Sequence, residues 1–215
     1  MMTDIKKQIQ LYLVTDEKAC LGRDFFWVVE EAVKGGVTMV QLREKKLGTR
    51  AFIEKGKRLK DILDRYQVPL IINDRVDVAL AIDAAGVHVG QSDMPFVMLK
   101  DLLPAEKITG LSVESKQQVL EAENWEVSYI AASPLFSTPS KTDTESPWGM
   151  KGLRWMHENT HHPVVVIGGL SETNTAQAVT NGAKGIAVIS AICSAHSPYE
   201  AAQILRARIA AGIQS

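Results

Sequence analysis

The stretch PLIINDRVDVALAIDAAGVHVGQSD, residues 69 to 93, decides the fold. It opens on an apolar run, PLIIN (69–73), passes through a helical pattern, RVDVALAIDA (75–84), and closes on a second apolar run, GVHVG (86–90). Both runs are nearly continuous in hydrophobicity. That suits strands buried on both faces, as in a parallel sheet, better than the alternating strands of a solvated antiparallel one. Outward from this unit the pattern repeats, with LYLV (11–14), TMVQL (38–42), ITGLS (108–112), SYIAA (128–132), PVVVI (163–167) and GIAVIS (185–190), which brings the strands to eight.

Helical patterns fill the intervals. DFFWVVEEAVKGG (24–36) sets Phe25, Val28, Val29, Ala32 and Val33 on one face and stops at Gly35 and Gly36, and TRAFIEKGKRLKDILDRY (49–66) carries a mixed charged outer face. Weaker patterns occupy 95–103, 115–124, 152–160, 171–182 and 198–212. Eight strand and helix units without a Pro, Gly or Ser-rich linker read as an α/β protein, a single-domain (β/α)8 TIM barrel over residues 1–215. A doubly wound open sheet is the alternative. The segment 133–150, SPLFSTPSKTDTESPWGM, is too long for a plain connection, and loops of that length usually carry function.

Composition narrows the function. Lys and Arg number 24 against 25 Asp and Glu, so bulk charge does not favour a nucleic acid partner. Area scaling gives about 9,800 Å² of folded surface against roughly 34,000 Å² for the extended chain, enough burial for one compact body. Cys20 and Cys193 lie far apart with no CxxC pairing, and the opening MMTDIKKQIQ has no apolar core of a signal peptide. No apolar run approaches the roughly 20 residues of a membrane span. The expectation is a reduced, cytoplasmic protein with no membrane partner.

In such a barrel the active site forms at the C-terminal ends of the strands. The residues found there are Gln41, Arg43, Glu44 and Lys45 after the second run; Asn73, Asp74 and Arg75 after the third; and Gln91 and Asp93 after the fourth. Ser112 ends the fifth, the sixth leads to Thr138, Ser140 and Lys141, and Gly168, Gly169 and Ser190 end the last two. The period of two in a strand puts Gln41 and Arg43 on one side and Leu42 on the other, where a salt-bridged barrel layer is the structural alternative. Asp74 and Asp93 taken singly read equally well as helix caps. Together at one mouth they differ, because two carboxylates about 4 Å apart repel by roughly 4 kcal/mol at an effective dielectric of 20 and call for a cation between them. Oxygen ligands alone favour a hard ion such as Mg²⁺. Gly168 and Gly169, followed by Leu170, Ser171 and Glu172 at a helix start, suit a phosphate turn, with Ser190 beside it. Lys55, Lys57, Lys60 and Asp64 read as solvated surface. His88 reads as a satisfied core histidine on an apolar face, and His161 and His162 lie at the far end and are assigned no chemistry.

The ordered set QLREK, IINDR, GVHVGQSD, GLSVES, SPLFSTPSKTDT, VVVIGGL and AVISAI resembles the thiamine phosphate synthase family, from Leu11 to about Ile213. The resemblance implies a transferase, small-molecule partners and Mg²⁺: hydroxymethylpyrimidine diphosphate couples to a thiazole phosphate and releases pyrophosphate. It implies that Gln41, Arg43, Lys45, Asn73, Ser112 and Lys141 hold the pyrimidine diphosphate, with Arg43, Lys45, Ser112 and Lys141 counted as catalytic. Asp74 and Asp93 would ligate the metal. Thr138, Ser140, Gly169, Ile189 and Ser190 would hold the thiazole phosphate, with Gly168 adjacent. Leu42, Glu44 and Pro139, inside the same motifs, are counted with the substrate-binding residues. By family habit the protein is a monomer or small homo-oligomer. The chain departs from the family at Glu114, where a histidine is frequent, at Thr138-Pro139-Ser140 in place of TxT, and at Ala85 in place of Asp. The rival readings are thiazole tautomerisation without metal, a non-catalytic thiamine phosphate binder, and a phosphosugar isomerase or aldolase on the same barrel. Intact Asp74, Asp93 and Lys141 weigh against the first, and Glu114 replaces the histidine that the tautomerase branch uses.

Overall fold

The computed structural model describes residues 4–137 and 147–214. Along the chain run α1 (Ile5–Gln8), β1 (Leu11–Val14), α2 (Phe25–Lys34), β2 (Met39–Leu42), α3 (Thr49–Asp64), β3 (Leu70–Asn73), α4 (Val76–Ala81), β4 (Gly86–Val89) and α5 (Phe96–Leu102). There follow β5 (Ile108–Val113), α6 (Lys116–Ala122), β6 (Tyr129–Ala132), α7 (Gly149–Asn159), β7 (Val164–Ile167), α8 (Thr175–Thr180), β8 (Gly185–Val188), α9 (Ser190–Cys193) and α10 (Pro198–Gln214). Neighbouring strands are parallel, and β8 pairs with β1 through Tyr12 opposite Ala187, so the sheet closes. Closure excludes the open doubly wound sheet. Each expected run holds a strand, with bounds that shift by no more than two residues.

The period of two sorts the strand residues. Leu11, Leu13, Val40, Leu42, Leu70, Ile72, Val87 and Val89 pack outward in the layer shared with the helices. Tyr12, Val14, Met39, Ile71, Tyr129, Ala131, Val165 and Ala187 fill the barrel with Ile9, which follows the unforeseen helix α1. Toward the mouth the inward positions turn polar: Gln41, Asn73, His88 and Ser112 are buried there. His88 therefore sits inside the barrel on a polar layer and not, as expected, on an apolar face.

Two further expectations are corrected. The pattern 171–182 yields a helix only over Thr175–Thr180, because Asn174 Oδ1 accepts the Ser171 N–H at 2.9 Å and the two hydroxyls of Ser171 and Thr173 pair, which makes a local turn. Ser171 and Glu172 thus precede the helix. Lys55 is not solvated surface: its side chain is 11% exposed, its Nζ pairs with Glu44 and with Glu17 Oε2 at 2.6 Å, and it lies 4.0 Å from the Phe25 ring centroid.

One arginine ties the first unit to the last. Arg23 Nε donates to Cys20 O at 3.0 Å, and its terminal nitrogens donate to Ala195 O at 2.6 Å and Cys193 O at 2.5 Å. Ser194 Oγ donates to Ala19 O at 2.9 Å across the same seam. Cys20 and Cys193, distant in sequence, are both free and buried on either side of it.

Local capping fixes the helix that follows β5. Ser115 Oγ accepts the Gln118 N–H at 3.3 Å while Gln118 Oε1 accepts the Ser115 N–H at 3.2 Å, a reciprocal capping box. Ser115→Ala is expected to lower stability by about 1 kcal/mol, read as a lower urea midpoint with an unchanged slope.

Candidate active site

The C-terminal mouth of the barrel encloses a cavity of about 330 Å³, within the range of small-molecule sites. Its lining divides in two. The strands β2 to β5 and the turns after them supply Gln41, Arg43, Lys45, Asn73, Asp74, His88, Asp93, Ser112 and Glu114. The strands β6, β7, β8 and β1 supply mainly apolar walls, namely Ala131, Val165, Ile167, Ala187, Ile189 and Val14.

On the polar side the geometry starts at the strand ends. Gln41 and Arg43 both face the cavity, whereas Leu42 faces the helix layer between them. The Arg43 backbone N–H donates to the buried hydroxyl of Thr15 at 3.2 Å, a residue just past the first apolar run that no motif marks. Glu44 turns to Lys55 and away from the cavity. Thus the side chains of Leu42 and Glu44, counted among the substrate-binding residues, point elsewhere because strand alternation and the Lys55 pair direct them so.

Asp74 leaves β3 in the left-handed region, φ +61°, where non-glycine residues are uncommon and Asp is among the tolerated few. Its N–H still reaches His88 O at 2.9 Å, one step past the end of the strand ladder. The carboxylate accepts from Lys45 Nζ at 2.7 Å. Asp93 Oδ2 accepts the Gly90 N–H at 2.8 Å. Neither side chain caps a helix, since Arg75 and Pro95 hold the cap positions of α4 and α5. Burial raises the Asp74 pKa, and the Asp93 carboxyl beside it adds to the rise while Lys45 opposes it. Two oxygen donors of like charge held together in this way suit a hard divalent cation. Glu123, His161 and His162 gather three donor atoms within 4.8 Å of one another, but at the opposite end of the barrel, and the mixed donor set suits zinc better than magnesium.

Asn73 carries a different signal. It is 7% exposed, and its Nδ2 has no hydrogen-bond partner among the described residues. A buried orphan donor costs about 1–3 kcal/mol unless a ligand satisfies it. Gln91 Nε2 donates to Ser112 O at 2.5 Å and lines the same wall, as does Glu114.

At the apolar end, Gly168 and Gly169 have φ of +105° and +64°. A Cβ on either would lie 2.8 Å from a side-chain carbon, that of Pro134 or of Phe136, so only glycine fits this turn. The Ile167–Ala187 register sets it beside the turn holding Ile189 and Ser190, the latter exposed at the start of α9. Thr138, Pro139, Ser140 and Lys141 lie outside the described residues.

A closed parallel barrel with one such divided cavity at its strand ends defines a TIM-barrel enzyme acting on small anionic molecules. The sequence model of one family, thiamine monophosphate synthase, matches residues 11–192, and the chain belongs to that family. It is 51% identical over 199 residues to the thiamine-phosphate synthase of Vibrio campbellii, covering 91% of this chain and 96% of that one. Identity to the thiamine-phosphate synthase of Albidiferax ferrireducens is 49% over 204 residues, or 94% and 93% of the two chains. Among solved structures, thiamine phosphate pyrophosphorylase from Pyrococcus furiosus superposes with a TM-score of 0.89 at 36% identity, covering 97% of this chain and 99% of that one.

The raised Asp74 pKa fixes a sign. Because the folded value lies above the ordinary 3.8, the favourable contribution is fully present below that ordinary value and is lost as pH rises through the folded value. In EDTA, Asp74→Asn is therefore expected to melt higher than the parent at neutral pH. The gap should close toward pH 3, as thermal melts across pH will show.

Proposed function

We propose that the protein couples hydroxymethylpyrimidine diphosphate to a phosphorylated, or carboxylated and phosphorylated, thiazole, releasing pyrophosphate and giving thiamine phosphate, with Mg²⁺ held by Asp74 and Asp93. The observation that carries this reading is the half-buried, left-handed Asp74 beside Asp93, a pair that unfavourable self-interaction prepares for a divalent cation. The cation, when bound, supplies charge stabilisation for the departing diphosphate oxygens.

The residues of the chain divide the remaining work. Arg43 and Lys45 bring positive charge to the diphosphate side, and family resemblance assigns Lys141 to the same task. Asn73 offers its Nδ2, unpartnered among the described residues, to the pyrimidine diphosphate, and Gln41 and Ser112 complete the wall. The apolar side, from Ala131 through Ile189, receives the uncharged thiazole ring, while Gly168, Gly169 and Ser190 take its phosphate. The reaction runs dissociatively: the carbon–oxygen bond to diphosphate breaks first, the electron-rich aminopyrimidine carries the cation, and the thiazole nitrogen captures it. No protein nucleophile is needed, and positioning two substrates in one cavity lowers the barrier by several kcal/mol. Water must be kept from the cation, which the buried apolar side assists. No helix among the described residues is long and apolar enough to cross a membrane, and a biosynthetic step on soluble phosphorylated substrates suits the cytoplasm.

The test mixes purified protein with both substrates, with Mg²⁺ or with EDTA, and follows thiamine phosphate by its fluorescent oxidation product. Product is expected only with metal, and Asp74→Ala and Asp93→Ala should each lose about a hundredfold or more. Product formation that ignores EDTA, or survives in both variants, would overturn the metal assignment. No product with the folded parent would overturn the coupling reaction itself. Asn73→Leu is expected to leave the melting temperature unchanged or higher and to raise KM for the pyrimidine diphosphate roughly tenfold, since the orphan donor disappears together with its ligand contact.

A further inference from the structure

Beneath the polar wall lies a chain of hydrogen bonds that the coupling reaction does not by itself require. Gln41 Nε2 donates to Tyr12 Oη at 2.8 Å, Tyr12 Oη lies 2.9 Å from Tyr129 Oη, Tyr129 Oη lies 3.0 Å from His88 Nδ1, and His88 Nε2 lies 2.9 Å from Ser112 Oγ. All five side chains are buried.

The chain has a direction. A phenol carries one proton, so Tyr12 Oη, having accepted from Gln41, passes its own to Tyr129 Oη. Tyr129 then accepts from Tyr12 and donates onward to His88 Nδ1. A nitrogen that accepts carries no proton, so the imidazole holds its proton at Nε2 and gives it to Ser112 Oγ. Ser112, already an acceptor on its inner side, turns its hydroxyl proton toward the cavity. Burial keeps both phenols protonated, with pKa values above the ordinary 10.0. The backbone makes room for the central link: a Cβ on Gly110 would lie 2.3 Å from Tyr129 Oη and 2.4 Å from His88 Nδ1. The rings of His88 and Tyr129 stack with centroids 5.6 Å apart and planes at 21°.

We infer that His88 is a positioning residue, held by Tyr129 as the neutral Nε2–H form, and that it makes Ser112 a hydrogen-bond donor to an acceptor atom of the pyrimidine diphosphate. The second half of this statement rests on the proposed function, and the first does not. Were the Gln41 amide turned the other way, every proton in the chain would reverse and Ser112 would present a lone pair instead.

The intact protein, labelled with ¹⁵N in its histidines, tests the first half by two-bond proton–nitrogen correlation at neutral pH, with His88 assigned through its loss in His88→Gln. The expected spectrum shows a protonated-type Nε2 and an unprotonated-type Nδ1. A protonated Nδ1 overturns the inference, whatever the activity assay gives. In Tyr129→Phe, which deletes the donor to Nδ1, the ring is expected to become a mixture of the two neutral forms, and an unchanged spectrum would overturn the chain. Kinetics test the second half. His88→Met should lower kcat about tenfold with a smaller change in KM, while His88→Gln, which keeps an N–H near the Nε2 position, should lose only about threefold. Equal losses in the two variants would overturn the positioning role.

Discussion

Closure of a parallel sheet on itself is the constraint on which everything else depends. Once β8 pairs with β1, every second strand residue must point into a space of fixed width, and no loop can rescue a side chain that does not fit. The lower layers meet this with Tyr12, Met39, Ile71, Tyr129 and Val165. The upper layer meets it with Gln41, Asn73, His88 and Ser112, which a purely structural barrel would replace with aliphatic residues. The change from apolar to polar along the same inward rows is where folding ends and chemistry begins.

That polar layer is set against the stability of the fold. Asn73 keeps a buried donor without a partner among the described residues, Asp74 adopts a backbone conformation uncommon outside glycine, and its carboxyl sits where burial and Asp93 disfavour its charge. Each feature is unfavourable alone, the usual relation between stability and function at a prepared site, and under the proposed function a ligand and a cation would offset it. The apolar half contributes the complementary property, a dry wall that does not compete for charge.

Most of the frame was legible from the pattern of apolar runs, because strands buried on both faces leave a contiguous signal that flanking helices interrupt at regular intervals. Residues at strand ends were legible too: Gln41, Arg43, Asn73, Asp74, Asp93 and Ser112 all reach one cavity. What escaped was whatever depends on the third dimension. Tyr12 and Tyr129 look like ordinary strand aromatics, and only their inward register shows that their hydroxyls meet. Thr15 supports Arg43 from just past the end of β1, and Lys55 is drawn from a charged helix face into contact with Glu17 and Glu44. Helix α1 is too short for periodicity to reveal, and the start of α8 was displaced by side chains that hydrogen-bond to nearby backbone.

The Arg23 tie bears on the order in which the molecule is made. The arginine leaves the ribosome with the first strand and helix, yet two of the carbonyls it binds belong to Cys193 and Ala195. Until those residues emerge, the growing chain is an incomplete ring with the edge of β1 exposed and a guanidinium waiting beside it. Synthesis therefore delivers the parts of the catalytic mouth in sequence but completes its rim only with the last unit, so that a prematurely ended chain carries most of the active-site residues and lacks the seam that holds them in a circle.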